Sequence, residues 1–359
     1  ANRVKDLPVR AKVLGMDAIA ITDHGAMYGA VDFYKECKKN GVKPIIGCEV
    51  YVAPRSRFDK EPGIDNHYSH LILLAKNKTG YENLIKIVSA GFVDGFYYKP
   101  RVDNEILEKY SEGIICLSAC LAGSINQQIL KGDMDKAKQI ALWFKDVFKD
   151  NYYLELQNNG LREQVLVNQK LVEISKALDI PLVATNDAHY LKREDAYNHE
   201  VLLCIQTGKK MKDEDRMRFE TDELYIKSPE EMIEYFKNIP EAIENTVKIA
   251  NECNFDFEFG VTKLPNYEVP KEFKTHPEYF RKLCDDGIRK RYGENPSKEV
   301  LDRLEYEISV IEKMGYVDYY LIVWDFINYA KSVGISVGPG RGSGAGSIVA
   351  YAIGITDID

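Results

Sequence analysis

The sequence is poor in several features that would indicate particular classes of protein. Its seven cysteines include no Cys-x-x-Cys pair, which argues against a disulfide framework or a zinc ribbon and favours a reducing, cytoplasmic location. The most apolar helical stretch, Tyr319–Ile327, is far shorter than the roughly 20 residues of a membrane span, and Asp325 interrupts it. The net charge is −8, so the sequence lacks the excess of basic residues that would indicate a nucleic-acid-binding protein. Net charge says nothing, however, about local basic patches.

Short apolar runs alternate with longer amphipathic stretches up to residue 187. This alternation predicts strand–helix units around a buried parallel sheet. At least six such strands suit a barrel or a doubly wound sheet, and both place functional residues where strands end. The predicted strands are Ala18–Thr22, Pro44–Val52, Leu71–Ala75, Gly113–Leu117, Tyr152–Leu156 and Pro181–Thr185. The predicted helices are Val4–Leu14, Val31–Lys39, Tyr81–Val88, Met134–Phe148 and Arg162–Leu178.

The pattern changes after Tyr190. The highly charged stretch Lys192–Glu220 is predicted to be a solvated connecting segment. Around Phe255–Pro270 the periodicity fails, so a domain boundary is placed there, and two domains suit the 359 residues. The last part is mostly helical and contains one short predicted strand, Ile335–Val337. Its predicted helices, with those just before the boundary, are Pro229–Phe236, Ala242–Cys253, His276–Tyr292, Lys298–Met314 and Asp318–Ser332.

Six polar side chains lie within successive predicted strands or next to their ends. They are His24, Glu49, His70, Cys120, Asp187 and His189. Taken singly, each has a structural explanation, such as a hydrogen-bonding histidine or a buried thiol. Together they could converge on one barrel mouth, and a mixed N, O and S donor set suits zinc or a similar first-row cation. More than four ligands would imply a cluster, and paired metals are the usual device for hydrolysing phosphate esters.

A glycine-rich run, Gly338–Ser347, follows the short predicted strand near the end of the chain. Several glycines allow backbone N–H groups to approach phosphate oxygens, and Arg341 adds a bidentate anion contact. The run is no Walker A loop, because it contains no Gly-Lys-Ser/Thr, and it fits the dinucleotide fingerprint only loosely. The alternative interpretation is a flexible linker.

The combined motifs resemble a known family. Residues 1–262 resemble the polymerase-and-histidinol-phosphatase (PHP) domain of the bacterial DNA polymerase III alpha family, the C-family replicative polymerases, and residues 263–359 resemble the start of its palm domain. The segments that carry the resemblance are AIAITDHG (18–25), KPIIGCEVY (43–51), LILLAKN (71–77), GFYYKP (95–100), LSACL (117–121), TNDAHY (185–190), RMRFE (216–220), GYVDYYLIVWDFINYAK (315–331), VGPGRGSGAGS (337–347) and GITDID (354–359).

The resemblance implies an α/β fold, a distorted (β/α)7 barrel, followed by the mostly helical start of a polymerase-beta-like α+β palm. It places the family's metal ligands on His24, Glu49, His70, Cys120, Asp187 and His189, with Zn²⁺ or Mn²⁺ as the metal, and it leaves His67 outside the ligand set. In some family members this site is a 3′–5′ exonuclease, and in others it is degenerate and structural. Nucleotide binding falls on the glycine-rich loop, at Gly340, Arg341, Gly342 and Ser343, of which Arg341 and Ser343 would contact the triphosphate.

The same resemblance implies that the chain is truncated at both ends. The family's first barrel strand, with its His-x-His pair, would lie before Ala1, and the acidic residues that bind Mg²⁺ for nucleotidyl transfer would lie beyond Asp359. Asp357 and Asp359 are interpreted as structural. The expected partners are DNA primer-template, deoxynucleoside triphosphates and other replisome subunits, such as a sliding clamp and proofreading or clamp-loader subunits. The alternatives are a freestanding PHP phosphoesterase acting on a small phosphate ester and a non-catalytic replisome scaffold.

Overall fold

The computed structural model describes residues 2–261 and 263–359, and these residues form eight β-strands and fourteen α-helices. The strands are β1 (Ala18–Ile21), β2 (Lys43–Val52), β3 (Ser69–Ala75), β4 (Phe96–Tyr97), β5 (Lys99–Val102), β6 (Ile114–Leu117), β7 (Tyr152–Gln157) and β8 (Leu182–Thr185). The helices are α1 (Asp6–Val13), α2 (Ala30–Asn40), α3 (Lys78–Val93), α4 (Asn104–Lys109), α5 (Ser124–Leu130), α6 (Met134–Phe148), α7 (Arg162–Leu178), α8 (Ala196–Thr207), α9 (Pro229–Tyr235), α10 (Pro240–Glu252), α11 (His276–Tyr292), α12 (Lys298–Lys313), α13 (Val317–Ser332) and α14 (Ile348–Ala352).

The chain divides into two compact units, residues 1–257 and 258–359. The predicted domain boundary lies between residues 262 and 263, and Thr262 is outside the described residues. The position of this boundary stays a prediction. All eight strands belong to the first unit, which is therefore the α/β part of the fold. No helix within the described ranges is long and apolar enough to cross a membrane.

The sheet of the first unit is mixed and curled, in the order β4-β5-β2-β3-β6-β7-β8, with β1 paired to β2. Within residues 2–261, β1 and β8 each pair with one strand, so this sheet is an open half-barrel. Strands β6 and β7 are buried along their whole length, and β2 is buried except at Lys43. Near-continuous apolar strands of this kind are typical of a sheet covered on both faces.

The prediction of a wholly parallel sheet is wrong for β3. This strand pairs antiparallel with both β2 and β6, whereas β1–β2, β6–β7 and β7–β8 are parallel. The reason lies in the connection, because residues 53–68 contain no helix between β2 and β3. A parallel return requires a crossover, whereas a direct return gives an antiparallel neighbour.

Two further expectations about local structure are corrected. The charged stretch Lys192–Glu220 is not only a solvated connection, because it contains α8, in which His199, Leu203 and Cys204 are buried. Leu203 and Cys204 lie four and five residues after His199, which places all three on one side of the helix. The charged residues around them hid this apolar pattern in the sequence. Residues 335–337 do not form the predicted strand. No described segment pairs with them, and a strand without a partner is not stable in water.

The second unit is helical over its described residues and has a core of its own. Phe280, Cys284 and Ile288 of α11 pack with apolar residues of α12, α13 and α14. Gly287 is required on the buried side of α11, because a Cβ atom there would lie 2.1 Å from the carbonyl oxygen of Ala352. This contact allows the α11 backbone to approach α14 closely.

Candidate metal centre

Three of the predicted ligands meet at one edge of the half-barrel. His24 follows β1 and forms a parallel bridge with Glu49 of β2, while His70 is the second residue of β3. Because β3 runs antiparallel to β2, the beginning of β3 lies beside the end of β2, and residue 70 pairs with Tyr51. Glu49 Oε1 lies 2.6 Å from His70 Nδ1, and Glu49 Oε2 lies 3.6 Å from His24 Nδ1. One donor atom from each of the three residues lies within 4.8 Å of the others, which makes them a possible metal site.

Cys120 joins this group from the loop after β6. Its Sγ lies 3.6 Å from His70 Nδ1 and donates a long hydrogen bond of 3.8 Å to Glu49 Oε1. The loop is held against β3 by the His70 amide, which donates to the carbonyl of Ala122 at 3.0 Å. A sulfur donor therefore lies next to the imidazole of His70 and the carboxylate of Glu49.

Asp187 and His189 approach the same region from the end of β8. His189 Nδ1 lies 3.7 Å from Asp187 Oδ1, and the rings of His24 and His189 are 6.5 Å apart. Both side chains are 23% exposed, whereas that of His24 is 44% exposed, so these three residues border the open side of the group. The structure thus brings all six predicted residues together, and we call this set, His24, Glu49, His70, Cys120, Asp187 and His189, the candidate metal centre. Their role as ligands stays a prediction.

The electrostatics of the centre suit a cation. Burial opposes ionisation of Glu49, yet the hydrogen bond from His70 and the nearby His24 hold its pKa below the usual value. Desolvation lowers the pKa of His24, which keeps its imidazole neutral and able to donate a lone pair. Desolvation and the neighbouring carboxylate Glu49 raise the pKa of Asp187, although His189 opposes this. Burial raises the pKa of the Cys120 thiol, so a metal ion there would displace a proton.

Sequence reasoning missed a buried carboxyl group behind the centre, Glu155 of β7. Its Oε2 accepts from the amide of Ala119 at 2.9 Å, and its Oε1 accepts from Thr185 Oγ1 and from Gln157 Nε2 at 3.1 Å. Ala119 precedes Cys120, and Thr185 lies two residues before Asp187, so Glu155 links the two loops that carry these residues. The sequence did contain a signal for this buried carboxyl group, because Glu155 is the one charged residue in the predicted apolar strand Tyr152–Leu156.

The backbone is strained on both sides of this link. Ala119 and Asp187 adopt φ values of 66° and 49°, in the left-handed region of backbone conformation that residues other than glycine rarely adopt. Strain of this kind persists only where the surrounding contacts fix the chain, and it clusters at functional sites.

The remaining residues discussed from the sequence lie outside the centre. His67 is exposed in the segment before β3, as expected for a residue outside the ligand set, and Cys116 is fully buried in β6. Gly340, Arg341, Gly342 and Ser343 are exposed, and a short 3₁₀ helix spans Gly342–Gly346. Asp357 pairs with Arg291 Nη2 at 2.6 Å and with Lys331 Nζ at 2.8 Å, which agrees with its structural interpretation.

Comparison with known families and proteins gives consistent results for both units. Residues 1–159 match the PHP domain, and residues 278–359 match the bacterial DNA polymerase III alpha NTPase domain. The chain is 51% and 49% identical, over 361 residues each, to the DNA polymerase III subunits alpha of Borreliella burgdorferi and Treponema pallidum. It is 44% identical over 377 residues to that of Aquifex aeolicus. These alignments cover 100% of this chain but 31%, 31% and 32% of the relatives, so the chain spans about a third of their length.

Proposed function

This chain belongs to the family of bacterial DNA polymerase III alpha subunits, and we propose from this that it is part of a replicative DNA polymerase. The activity of the whole polymerase would be DNA-templated nucleotidyl transfer, with primer-template DNA and deoxynucleoside triphosphates as substrates. Other replisome subunits would be its protein partners, with the sliding clamp and the proofreading or clamp-loader subunits as the expected ones. Its seven free cysteines support a reducing cytoplasm as its location.

For the candidate metal centre we propose binding of Zn²⁺ or Mn²⁺ and hydrolysis of phosphodiesters in the manner of a 3′–5′ exonuclease. The observation that carries this proposal is that the six N, O and S donor residues lie together, with ligand atoms of His24, Glu49 and His70 within 4.8 Å of one another. The donor set fits the metal, because imidazole, carboxylate and thiolate are the ligands that zinc-like cations take in proteins. When bound, such a metal supplies hydroxide at neutral pH and stabilises charge on the phosphate oxygens.

The protein's own residues would hold and orient this site. Glu49 and His70 would bind the metal from the buried side, His24 from the more exposed segment after β1, and Cys120 from the adjoining loop. Asp187 and His189 would approach the metal from the end of β8, and together with His24 they are the partly exposed residues where a phosphodiester would enter. Glu155 would fix the two loops through its hydrogen bonds to Ala119 and Thr185.

For the glycine-rich loop we propose nucleotide phosphate binding in the whole polymerase. Gly340, Arg341, Gly342 and Ser343 are exposed, so their backbone N–H groups and the guanidinium of Arg341 are accessible to an anion. Several glycines favour close approach of the backbone to phosphate oxygens, and Arg341 can contact them with two parallel hydrogen bonds. Mg²⁺ is the metal expected for nucleotidyl transfer.

The test of the hydrolytic proposal uses 5′-labelled single-stranded DNA and the 359-residue chain in Mn²⁺ or Zn²⁺. Release of nucleotides from the 3′ end is measured as stepwise shortening of the labelled strand. Glu49→Gln and Asp187→Asn each remove one carboxylate from the centre, and we expect each to lower the rate more than about 100-fold, since even indirect contacts to a metal are worth 10–100-fold. Glu173→Gln makes the same charge change on an exposed residue of α7 and should leave the rate unchanged.

The same variants in the full-length polymerase distinguish hydrolysis from a structural role. Loss of nucleotide release with polymerisation retained would support the exonuclease. Loss of both activities, or no release by the unaltered full-length polymerase, would mean that the centre is a structural element of a scaffold.

A further inference from the structure

A pocket of about 250 Å³ lies beside His189 in the first unit, between α8 and the segment that follows it. Its aromatic lining comes from Tyr190, Tyr197, His199 and Phe219, and its polar lining includes Glu200 and Thr221. We call these six residues the aromatic pocket. None of them belongs to the candidate metal centre.

The aromatic walls are arranged around His189. The rings of His199 and Phe219 are stacked at 5.6 Å with an interplanar angle of 28°. His189 contacts both, with ring centroids 5.4 Å from His199 and 5.2 Å from Phe219. His199 is 9% exposed and forms the floor, whereas Tyr197 is 63% exposed and Phe219 is 36% exposed at the opening. A flat ring entering the pocket would therefore meet the exposed rings of Tyr197 and Phe219, with His199 and His189 packed behind Phe219.

The polar groups of the pocket have lone pairs to offer. Glu200 Oε1 accepts from Arg216 Nη1 at 2.7 Å, which fixes the carboxylate and leaves acceptor capacity on its oxygens. Thr221 Oγ1 donates its proton to the carbonyl of Asn159 at 2.6 Å and accepts from the amide of Glu223 at 3.1 Å, so one lone pair is left for a further donor. The pocket thus combines aromatic faces with hydrogen-bond acceptors, which match the faces and the N–H groups of a nucleobase.

We propose that the aromatic pocket binds the base of the terminal nucleotide of single-stranded DNA while the adjoining phosphodiester lies at the candidate metal centre. His189 supports the geometry, because it contacts the pocket walls on one side and lies 6.5 Å from His24 on the other. Base and phosphate would then be separated by one sugar. This inference rests on the proposed phosphodiesterase function and names its substrate contact. The pocket volume of about 250 Å³ is slightly smaller than the roughly 300–1,000 Å³ of pockets that hold drug-sized ligands, and a single base is smaller than such a ligand.

The first test measures binding without hydrolysis, in EDTA, with the 5′-monophosphate of 2-aminopurine deoxyriboside as a fluorescent probe. Stacking on aromatic rings should quench the probe saturably, and dAMP should compete with it whereas deoxyribose 5-phosphate should not. Tyr197→Ala and Phe219→Leu should each weaken binding by roughly five-fold or more, the effect of losing a base-stacking contact. Tyr306→Ala is the matched control, because Tyr306 is a 61% exposed tyrosine of the second unit, and it should bind the probe normally.

The second test uses hydrolysis and compares oligonucleotides that end in a normal or an abasic nucleotide. Tyr197→Ala and Phe219→Leu should raise KM for the normal end and leave KM for the abasic end unchanged. Absence of quenching, equal binding by all variants, or competition by deoxyribose 5-phosphate would overturn the base pocket, even if the chain hydrolyses DNA. Base binding by a chain that hydrolyses no DNA would overturn the proposed hydrolytic function and support the pocket.

Discussion

At the scale of single residues, Glu155 shows how a side chain outside the candidate metal centre can organise it. The carboxyl group is fully buried and accepts hydrogen bonds from the two loops that carry Cys120 and Asp187. Burial raises the pKa of Glu155 to about 7, despite the hydrogen bonds from Thr185 and Gln157 that favour its ionised form. The residue therefore exchanges a proton near neutral pH in the metal-free protein.

This shift predicts a pH dependence of stability. Because the folded-state pKa of Glu155 lies above the unfolded value of 4.5, the folded state binds the proton more tightly. The contribution of Glu155 to the unfolding free energy is fully present below about pH 4.5 and is lost as the pH rises through about 7. The loss is at most about 1.4 kcal/mol per pH unit.

The variant Glu155→Gln isolates this contribution from the other titrating groups. Urea unfolding in EDTA at pH 5, 6 and 7 should show that the unfolding free energy of the unaltered chain falls relative to that of the variant as the pH rises. A constant difference between the two proteins across this range would show that Glu155 does not titrate there.

At the scale of elements, the segment between β2 and β3 is fixed by one buried guanidinium. Arg101 of β5 is 0% exposed and donates to the carbonyls of Arg57, Asp59, Asp65 and Gly95. Three of these acceptors belong to residues 53–68, which lead directly into β3 and His70. Arg101 thereby fixes the connection that makes β3 antiparallel.

Removal of this guanidinium should loosen the connection. Arg101→Met removes the side-chain donor from four carbonyls, of which that of Gly95 still accepts from the amide of residue 101, and we expect a loss of at least about 3 kcal/mol of unfolding free energy. Hydrogen exchange followed by mass spectrometry should show the largest loss of protection in residues 53–68. Arg162→Met, at an exposed position of α7, should change stability by less than about 0.5 kcal/mol. Unchanged protection of residues 53–68 in the Arg101 variant would contradict this role.

Local sequence patterns anticipated the elements better than their pairing. The predicted helices Met134–Phe148, Arg162–Leu178 and His276–Tyr292 have the same bounds in the structure, because apolar spacing along one face determines them. The six candidate ligands were found because each lies within an apolar run or next to one of its ends. The direction of β3 and the link through Glu155 depend on contacts between distant residues, which a local pattern does not contain.

At the scale of the whole molecule, each compact unit has its own hydrophobic core and contains one of the two tryptophans. Trp143 packs against the main core of the first unit, and Trp324 packs against the core of the second. The two fluorophores can therefore report separately on the two units. Each unit should respond to changes in its own core.

Gly287→Ala tests this independence. Alanine usually stabilises a helix by about 1 kcal/mol relative to glycine, but here its Cβ would meet the carbonyl oxygen of Ala352 at 2.1 Å. We expect a net loss of about 1–3 kcal/mol in the second unit, the usual cost of overpacking. In denaturant titrations, the midpoint reported by Trp324 in a Trp143→Phe background should fall, while that reported by Trp143 in a Trp324→Phe background should not. Equal shifts of both midpoints would show that the units unfold together.

The most direct measurement of the central claim is the metal content of the chain after equilibrium dialysis against Zn²⁺ or Mn²⁺, determined by inductively coupled plasma mass spectrometry. The arrangement of His24, Glu49 and His70 predicts at least one tightly bound ion per chain, the same content in Glu173→Gln, and an affinity at least about tenfold lower in Glu49→Gln. Circular dichroism would establish that the variants are folded. No bound ion in the unaltered chain, or equal binding by Glu49→Gln, would contradict the account.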